Sequence, residues 1–361
     1  MKNPPFLGVV GCGYWGQNLL RNFKNLSSVR LSSMCDLNEA RLDHLKTLYP
    51  DVRTFNDFGQ FLTDSELDAV AIATPVQSHF ELAKACLLAG KHTFVEKPMA
   101  TKASDCQELI DIASEKGLTL MAGHTYLYSA PVRKINEIIQ QGEIGPIRHI
   151  NSRRLNLGLF QKDINVTWDL APHDISIILH LMGGSPEIVN CQGNCHVTPG
   201  IEDVSNLSLN FGDSRFAAIQ SSWLDPRKVR EMTIVGTRKM IVYDDLQVHE
   251  KIRVYDVRVD RPPRYDKSDD FHYTYHFGTS YIPHIHPQEP LRAECQHFLD
   301  CIEHGTKPLS SGLEGLQLVR ILEAASLSMK HRGAPVRLEG ATDYALDRSL
   351  DRGSSRPVSL N

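Results

Sequence analysis

The chain has 361 residues, of which 41% are hydrophobic and 23% charged, with a formal net charge of −4. This length is enough for about two domains with a large core. The absence of basic blocks argues against a nucleic-acid partner. No apolar run approaches the roughly 18 residues needed to cross a membrane.

The cysteines and the start of the chain predict a cytoplasmic protein. The eight cysteines are scattered, and several fall inside predicted helices or strands. This usage is typical of reduced, buried thiols. The first predicted strand begins at Pro5, which leaves no room for a signal peptide before it.

A glycine-rich turn directly follows the first predicted strand, residues 5–10. In this Gly-x-Gly-x-x-Gly pattern, Gly11 makes the tight turn, Gly13 lets the backbone approach phosphates, and Gly16 lets the next helix pack closely. A strand, a glycine turn and a helix in this order place a pyrophosphate at the helix N-terminus. The predicted cofactor contacts in this turn are Gly11, Gly13, Tyr14, Trp15 and Gly16.

An acidic residue follows at the end of the second predicted strand, residues 29–35. Asp36 stands 20 residues after Gly16. A carboxylate at this strand end hydrogen-bonds the adenosine ribose and repels a 2′-phosphate, so we expect NAD rather than NADP. The alternative is a glycine-rich turn followed by a solvated aspartate.

Strand and helix patterns alternate from Pro5 to about Gly123. Near-continuous apolar strands between amphipathic helices predict a parallel sheet covered on both faces. The predicted strands are residues 5–10, 29–35, 69–73, 93–95 and 119–122. The predicted helices are residues 15–23, 38–48, 79–89 and 104–115.

Polar and turn-forming residues follow the carboxyl ends of these strands, which is where such sheets bind ligands. Lys97 can lie beside a nicotinamide and polarise a substrate hydroxyl or carbonyl, and burial would lower its pKa enough for proton exchange. The alternative is a surface lysine after an edge strand. The residues expected at this rim are Thr74, Pro75, His79, Glu96, Lys97 and His124.

The second half predicts an α+β domain with an open, largely antiparallel sheet. Helices are predicted over residues 127–141, 291–303 and 313–330, and a long ordered loop over residues 260–290. The predicted strands are residues 147–155, 187–197, 203–211, 215–223, 231–236, 239–243 and 251–258. We therefore expect a Rossmann NAD-binding domain over residues 1–125, an α+β substrate-binding and oligomerisation domain over residues 126–340, and a polar tail over residues 341–361.

A polar stripe marks a predicted buried helix that ends at residues 183–184. Pro172 suits its first turn. In one interpretation Asp169 caps the helix and His173 is a satisfied core histidine. In the other, the stripe faces a catalytic cleft, where His173 exchanges a hydroxyl proton and Asp169 fixes its tautomer or holds a sugar hydroxyl. The stripe is Asp169, His173, Ser176 and His180.

Two adjacent basic residues, Arg153 and Arg154, lie close to this helix in sequence. If they reach the cleft, they clamp a phosphate or carboxylate of the substrate. The alternative is a solvated basic pair on a strand.

No metal site is predicted. Cys191 and the Cys195-His196 pair are four residues apart on a predicted strand, which separates them by roughly 13 Å, too far to share one zinc. His284 and His286 form a His-x-His pattern beside prolines, which favours a structured loop over a metal site.

Together these motifs resemble those of the Gfo/Idh/MocA oxidoreductases, the relatives of glucose–fructose oxidoreductase and inositol dehydrogenase. The resemblance covers about residues 6–338. It implies that Lys97 is the catalytic lysine with a cis peptide to Pro98, that Asp169 and His173 lie beside the reacting carbon, and that the outer sheet face forms a homodimer or homotetramer. The motifs are the glycine turn at 11–16, Ala73-Thr74-Pro75 with His79, Ala89-Gly90-Lys91-His92, Glu96-Lys97-Pro98-Met99-Ala100, Gly145-Pro146-Ile147, Asp169-x-x-x-His173 and Glu289-Pro290-Leu291.

The expected activity is NAD-dependent hydride transfer to or from a secondary alcohol carbon of a sugar, with C3 oxidation of a nucleotide sugar as one candidate. His173 would take the hydroxyl proton while Lys97 stabilises the oxyanion. A cyclitol dehydrogenase or a ketosugar reductase of the same family is one alternative. Another is a non-catalytic dinucleotide-sensing regulator, although such a protein would be expected to lack Lys97 or His173. The expected substrate contacts are Lys97, His124, Arg153, Arg154, Asp169 and His173.

Overall fold

The computed structural model describes residues 4–212, 214–260 and 273–338. Its first part alternates strands with helices, as predicted. The strands are β1 (Phe6–Val10), β2 (Arg30–Cys35), β3 (Arg53–Phe55), β4 (Ala69–Ile72), β5 (His92–Glu96) and β6 (Leu120–Gly123). The helices are α1 (Tyr14–Lys24), α2 (Glu39–Leu48), α3 (Phe58–Leu62), α4 (His79–Leu88) and α5 (Ala103–Glu115).

These strands form a parallel six-stranded sheet in the order β3-β2-β1-β4-β5-β6. The order reverses between β1 and β4, and ligands bind at such a switch point beyond the carboxyl ends of the strands. The predicted parallel sheet is confirmed. The short edge strand β3 and the five-residue helix α3 were not predicted, because neither is long enough to show a hydrophobic period.

The second part contains a nine-stranded mixed sheet. Its helices are α6 (Ala130–Gln140), α7 (Val166–Met182), α8 (Pro290–His304) and α9 (Gly312–Lys330). Its strands are β7 (Ile147–Leu157), β8 (Ile188–Asn194), β9 (Val204–Asn210), β10 (Phe216–Ser222), β11 (Leu224–Gly236), β12 (Met240–Asp244), β13 (Ile252–Asp260), β14 (Thr274–Tyr281) and β15 (Val336–Arg337).

The order in this sheet is β14-β13-β12-β11-β7-β10-β9-β8-β15. Strands β7 and β10 pair in parallel, and the remaining neighbours are antiparallel. This confirms the open, largely antiparallel sheet. Strand β14 was not predicted, because it falls within the predicted loop of residues 260–290. Residues 261–272 of that loop and the predicted tail lie outside the described residues.

Helix α7 begins earlier than predicted. Asn165 caps it by accepting a hydrogen bond from the backbone N–H of Trp168 at 3.1 Å, so Asp169 is not the cap. Pro172 therefore lies inside the helix instead of in its first turn. Gly183 ends the helix in the left-handed conformation (φ 69°), as predicted.

The two C-terminal helices join the sheets. Helix α8 packs against α1, and α9 packs against both α5 and β8. The rings of Phe94 on β5 and Phe298 on α8 meet edge to face, with centroids 5.8 Å apart. Buried apolar residues of both sheets form a continuous core. Within the described ranges, every helix is too short or too polar to cross a membrane.

Candidate active site

A cavity of about 860 Å³ opens between the carboxyl ends of β1, β4 and β5 and the start of α7. It brings together most of the residues that the sequence placed at the rim. Residues expected in the cleft that line it are Tyr14, Trp15, Thr74, Pro75, His79, Glu96, Lys97 and His173. Residues that sequence reasoning missed are Tyr126, Trp168, Arg230 and Asp245.

The glycine turn has the geometry that a dinucleotide requires. Gly11 has a φ of +85°, and a Cβ on Gly16 would lie 1.8 Å from the Gly11 carbonyl oxygen. A Cβ on Gly13, by contrast, would meet nothing within 4 Å among the described residues. Gly13 is the N-cap residue of α1, and no side chain caps this helix end in the described structure. These features fit a pyrophosphate at this helix end.

Asp36 lies against the glycine turn. Its carboxylate accepts hydrogen bonds from the backbone N–H groups of Cys12 at 2.7 Å and Asn38 at 2.8 Å. It also forms an ion pair with Arg41 at 2.9 Å. Burial raises the pKa of Asp36, but these hydrogen bonds and Arg41 outweigh it and hold the pKa below its ordinary value. The residue is therefore a carboxylate at the position expected to meet the ribose.

Two buried carboxyl groups, Glu96 and Glu294, lie close enough to interact near the carboxyl end of β5. Glu96 accepts hydrogen bonds from the indole N–H of Trp15 and from the backbone N–H of Lys97. Glu294 on α8 is fully buried and accepts the Thr125 hydroxyl at 2.6 Å, while its Oε1 has no partner among the described residues. Burial raises the pKa of Glu96 to about 7. Burial and the charge of Glu96 raise the pKa of Glu294 well above its ordinary value.

Lys97 crosses from the first sheet to helix α7. The Lys97–Pro98 peptide is cis, as predicted. The Nζ group donates a hydrogen bond to the backbone carbonyl of Asp169 at 3.1 Å. Burial lowers the pKa of Lys97, and the carboxylates of Asp169 and Glu96 only partly counter this effect. The amine is thus held at the junction of the two sheets.

The carboxylate of Asp169 does not orient His173. It accepts the indole N–H of Trp223 at 3.1 Å, and no hydrogen bond joins it to the imidazole in the described structure. The expectation that Asp169 fixes the tautomer of His173 is therefore wrong. Asp169 instead anchors Lys97 through its carbonyl.

His173 lies in the same cavity as Lys97, with its ring centroid 5.0 Å from that of Tyr126. Burial lowers the pKa of His173 well below its ordinary value, and the charges of Lys97, Arg154 and Arg230 lower it further. The imidazole is therefore neutral and able to accept a proton.

Two other histidines predicted at the rim, His79 and His124, are buried. His79 lies between the carbonyl oxygens of Pro98 at 2.9 Å and Thr74 at 2.8 Å, and thereby ties two rim loops together. His124 is buried behind the cavity wall, and Nε2 lacks a partner among the described residues. Burial lowers the pKa of His124 to about 4. His124 is not among the described residues that line the cavity, and its contact with a substrate stays a prediction.

The predicted arginine pair divides between the two faces of the sheet. Arg153 is exposed on the outer face and pairs with Glu231 at 2.5 Å, so the expectation that it reaches the cleft is wrong. Arg154 points inward but is buried against Asp174 at 2.6 Å. Of the arginines on this sheet, Arg230 is the one that lines the cavity in the described structure. It lies just before the predicted strand at 231–236, and extending the inward period of Met232 and Ile234 by one step would have found it.

The residues considered for metal binding do not form a cluster of three or more ligands in the described part of the chain. All eight cysteines are free thiols, and Cys195 is exposed, unlike the buried position expected. His196 is bonded through Nδ1 to Asp203 at 2.6 Å. The rings of His284 and His286 meet edge to face, with centroids 4.5 Å apart. In the part of the chain that the structure describes, no group of three or more His, Cys, Asp or Glu side chains is arranged to hold a metal.

Comparisons with known proteins agree with this architecture. Residues 7–124 match the family model for an oxidoreductase family with an NAD-binding Rossmann fold, and residues 132–242 match the GFO/IDH/MocA C-terminal domain. The chain is 24% identical over 354 residues to myo-inositol 2-dehydrogenase of Thermotoga maritima, covering 92% of this chain and 98% of that protein.

Solved structures show the same fold. UDP-N-acetylglucosamine 3-dehydrogenase from Acidithiobacillus ferrooxidans superposes with a TM-score of 0.75 at 23% identity, covering 91% of this chain and 98% of that one. An oxidoreductase from Agrobacterium radiobacter in complex with NAD+, L-tartaric acid and magnesium superposes with a TM-score of 0.77 at 20% identity, covering 93% and 98%.

The fold and the cleft define a two-domain oxidoreductase that binds a nicotinamide dinucleotide. More particularly, the chain belongs to the Gfo/Idh/MocA family.

Proposed function

We propose that this protein is an NAD-dependent dehydrogenase or reductase that acts on a secondary alcohol carbon of a sugar. One observation carries the proposal: the Lys97 amine, which follows β5, and the His173 imidazole on α7 line one cavity with Tyr14 and Trp15 of the glycine turn. The names of the inositol and UDP-N-acetylglucosamine dehydrogenases support a polyhydroxylated substrate.

The bound nicotinamide supplies the acceptor or donor of the hydride. In the oxidative direction, the substrate C–H bond breaks with its electron pair, and His173 takes the hydroxyl proton as the C=O bond forms. The Lys97 ammonium stabilises the developing oxyanion. Ketone reduction uses the same groups in reverse.

The charge around His173 favours this division of roles. The cationic side chains of Lys97, Arg154 and Arg230 disfavour a positive charge on the imidazole, which favours the neutral base. The Lys97 ammonium, which lines the same cavity, stabilises an alkoxide at the carbon being oxidised. The ring of Tyr126 packs on the imidazole and positions it.

We propose NAD as the cofactor because Asp36 presents a carboxylate where the ribose hydroxyls would lie. Arg41, the natural partner for a 2′-phosphate, is already paired with that carboxylate. We also propose a cytoplasmic location, which the free thiols support.

We propose, from the family resemblance, that the nine-stranded sheet forms a homo-oligomer. Tyr275 and Phe277 on β14 stack on each other with centroids 6.4 Å apart and are largely exposed. Light scattering should therefore find a dimer or tetramer. Phe277→Glu should lower the measured molecular mass of the assembly. A monomeric wild-type protein would contradict this assignment.

Substituting Lys97 tests the mechanism. A panel of sugars, inositols and nucleotide sugars is screened for NADH formation, and Lys97→Met is then compared with wild type on the best substrate. We expect turnover to fall about 10²- to 10⁴-fold. NADH binding, followed by tryptophan fluorescence, should change little.

Lys84→Met is the matched control, because Lys84 lies on the surface of the same domain, paired with Glu108. If Lys97→Met turns over normally, the role of the lysine is wrong. If NAD binds but no compound is oxidised or reduced, a dinucleotide-sensing regulator becomes the better assignment.

A further inference from the structure

Two arginines face each other beneath the substrate end of the cavity. Arg230 on β11 is the direct cross-strand partner of Arg154 on β7, and both side chains point to the inner face. Both guanidinium groups donate to the Tyr126 hydroxyl, Arg154 at 3.2 Å and Arg230 at 3.0 Å. Like charges directly opposite on neighbouring strands destabilise a sheet unless something offsets them.

The positive charge of Arg154 is fully balanced by a carboxylate within the protein. Its Nε donates to the Asp174 carboxylate at 2.6 Å and its Nη2 to the same group at 3.3 Å. The side chains of both residues are almost fully buried, 7% and 5% exposed. Arg154 is therefore a neutralised support behind the cavity wall.

The positive charge of Arg230 is only partly balanced within the protein. Its nearest carboxylate is Asp245, at 3.5 Å. Lys251 contacts the same carboxylate at 3.2 Å, and the Tyr243 hydroxyl donates to it at 3.1 Å. Two cations thus share one carboxylate, which leaves an excess positive charge on this wall. The ammonium of Lys97 adds to it, while Glu96 is engaged with Trp15 at the dinucleotide end.

Arg230 also has donors to spare. Among the described residues, only its Nη1 has hydrogen-bond partners, so Nε and Nη2 are available to a ligand. Its side chain is 35% exposed and lines the cavity that holds Lys97 and His173. A guanidinium edge with two free N–H groups matches the two oxygens of a carboxylate.

We propose that the substrate carries a carboxylate, which binds Arg230 while a secondary carbinol carbon of the same sugar lies between Lys97 and His173. The substrate class is then sugar acids rather than neutral sugars. This inference rests on the proposed function. A dianionic phosphate fits less well, because Lys251 and Arg154 are already paired with carboxylates.

The test uses matched acid and neutral sugars with the NAD-loaded enzyme. D-glucuronate is compared with D-glucose, and D-galacturonate with D-galactose, by NADH formation. We expect kcat/KM to be about 10- to 100-fold higher for each acid, the range set by hydrogen bonds to a charged group. Preference for D-glucose 6-phosphate over D-glucuronate would overturn the carboxylate assignment, as would equal turnover of acid and neutral sugar.

Variants test whether Arg230 causes the preference for acid over neutral sugars. Arg230→Gln should lose most of the preference for the acid, whereas Arg153→Gln, on the outer face of the same sheet, should retain it. Arg230→Lys keeps the charge without the two-pronged edge and should lie between wild type and Arg230→Gln. Arg230→Lys also provides the test of the proposal if Arg230→Gln does not fold. A preference unchanged in both Arg230 variants would overturn the proposal.

Binding separates this inference from the proposed function. Calorimetry with the NADH-loaded enzyme measures the affinities for D-glucuronate and D-glucose without turnover. Tighter binding of D-glucuronate, with neither compound oxidised, would support the carboxylate site and count against hydride transfer on these sugars. Equal affinities, or no binding of D-glucuronate, would overturn the inference even if sugars are oxidised.

Discussion

The carboxylate of Asp36 lies between two groups with opposite cofactor preferences. On one side it accepts a hydrogen bond from the glycine turn, where a ribose hydroxyl would approach. On the other it neutralises Arg41, a side chain able to bind a 2′-phosphate. The sequence identified Asp36 from its distance to the glycines. It did not identify the ion pair, although Arg41 is only five residues away in the chain.

We expect NAD to bind at least about tenfold more tightly than NADP, because the carboxylate repels a 2′-phosphate. Asp36→Ser should reduce this ratio, since it removes the repulsion and frees Arg41. Tryptophan fluorescence titrations measure both affinities. Asp43→Ser, at an exposed position of α2, the helix that carries Arg41, is the control. Equal affinities in the wild-type protein would contradict the assignment of NAD.

Residues at the substrate end were harder to recognise. Arg153 and Arg154 are adjacent in sequence, but successive strand residues point to opposite faces, so only one of them can face the cleft side. The one that does, Arg154, is neutralised by a residue on α7. Arg230, from a strand that follows far along the chain, takes the position at the cavity. Sequence adjacency therefore predicted an arginine at the cavity but did not identify which arginine lines it.

At the scale of elements, the turn between β1 and α1 has glycines with different functions. Gly16 permits contact between the helix and the Gly11 carbonyl, whereas Gly13 borders open space. We therefore expect one position to affect folding and the other to affect ligand binding. The Gly-x-Gly-x-x-Gly pattern predicts both functions, but the distances distinguish them.

Gly16→Ala should lower the free energy of unfolding by about 2 kcal/mol or more, because its Cβ would clash with rigid backbone. Gly13→Ala should cost less than about 1 kcal/mol, the scale of an N-cap change. It should nevertheless weaken NADH binding, since the methyl group occupies the space for phosphate. Chemical denaturation and NADH titration test the pair. A Gly13→Ala variant that binds NADH normally would place the pyrophosphate elsewhere.

Helix α7 shows what an element's sequence predicts and what it does not. Of the predicted polar stripe, His173 lines the cavity, whereas the Asp169 carboxylate is bonded to Trp223. The start of the helix was misplaced because Pro172 is typical of a first turn. In the structure, Asn165 caps the helix and the proline is accommodated inside it. The partner of Asp169, Trp223, comes from another part of the chain and left no local signal.

At the scale of the whole molecule, helix α8 places Glu294 beside the first sheet. There it faces Glu96, and both carboxyl groups are buried. Their pKa values are raised above the ordinary value of 4.5, to about 7 for Glu96. The folded protein therefore holds protons that the unfolded chain releases. The stability that these protonated groups contribute is complete below about pH 4.5 and is lost as the pH rises through about 7.

Glu294→Gln should remove much of this loss, because the amide cannot ionise. Relative to wild type, we expect the variant to gain about 1–3 kcal/mol between pH 5 and pH 8, the scale of one proton retained over one to two pH units. Denaturation midpoints across this pH range measure the difference. Glu303→Gln, at the exposed end of the same helix, should run parallel to wild type. A Glu294→Gln curve that also runs parallel would show that the carboxyl pair does not control stability.

The sequence by itself determined the parallel sheet, the glycine turn, the antiparallel second sheet and the cluster of polar residues around Lys97. These features depend on short-range patterns: hydrophobic period, turn residues and the polar groups that follow strand ends. Only the tertiary structure decided which side chains meet across elements. Examples are Lys97 with the Asp169 carbonyl, Glu96 with Glu294, and Arg230 with Tyr126. Such contacts depend on how helices pack on sheets and which strand faces turn inward, and residues far apart in the chain carry no local signal of either.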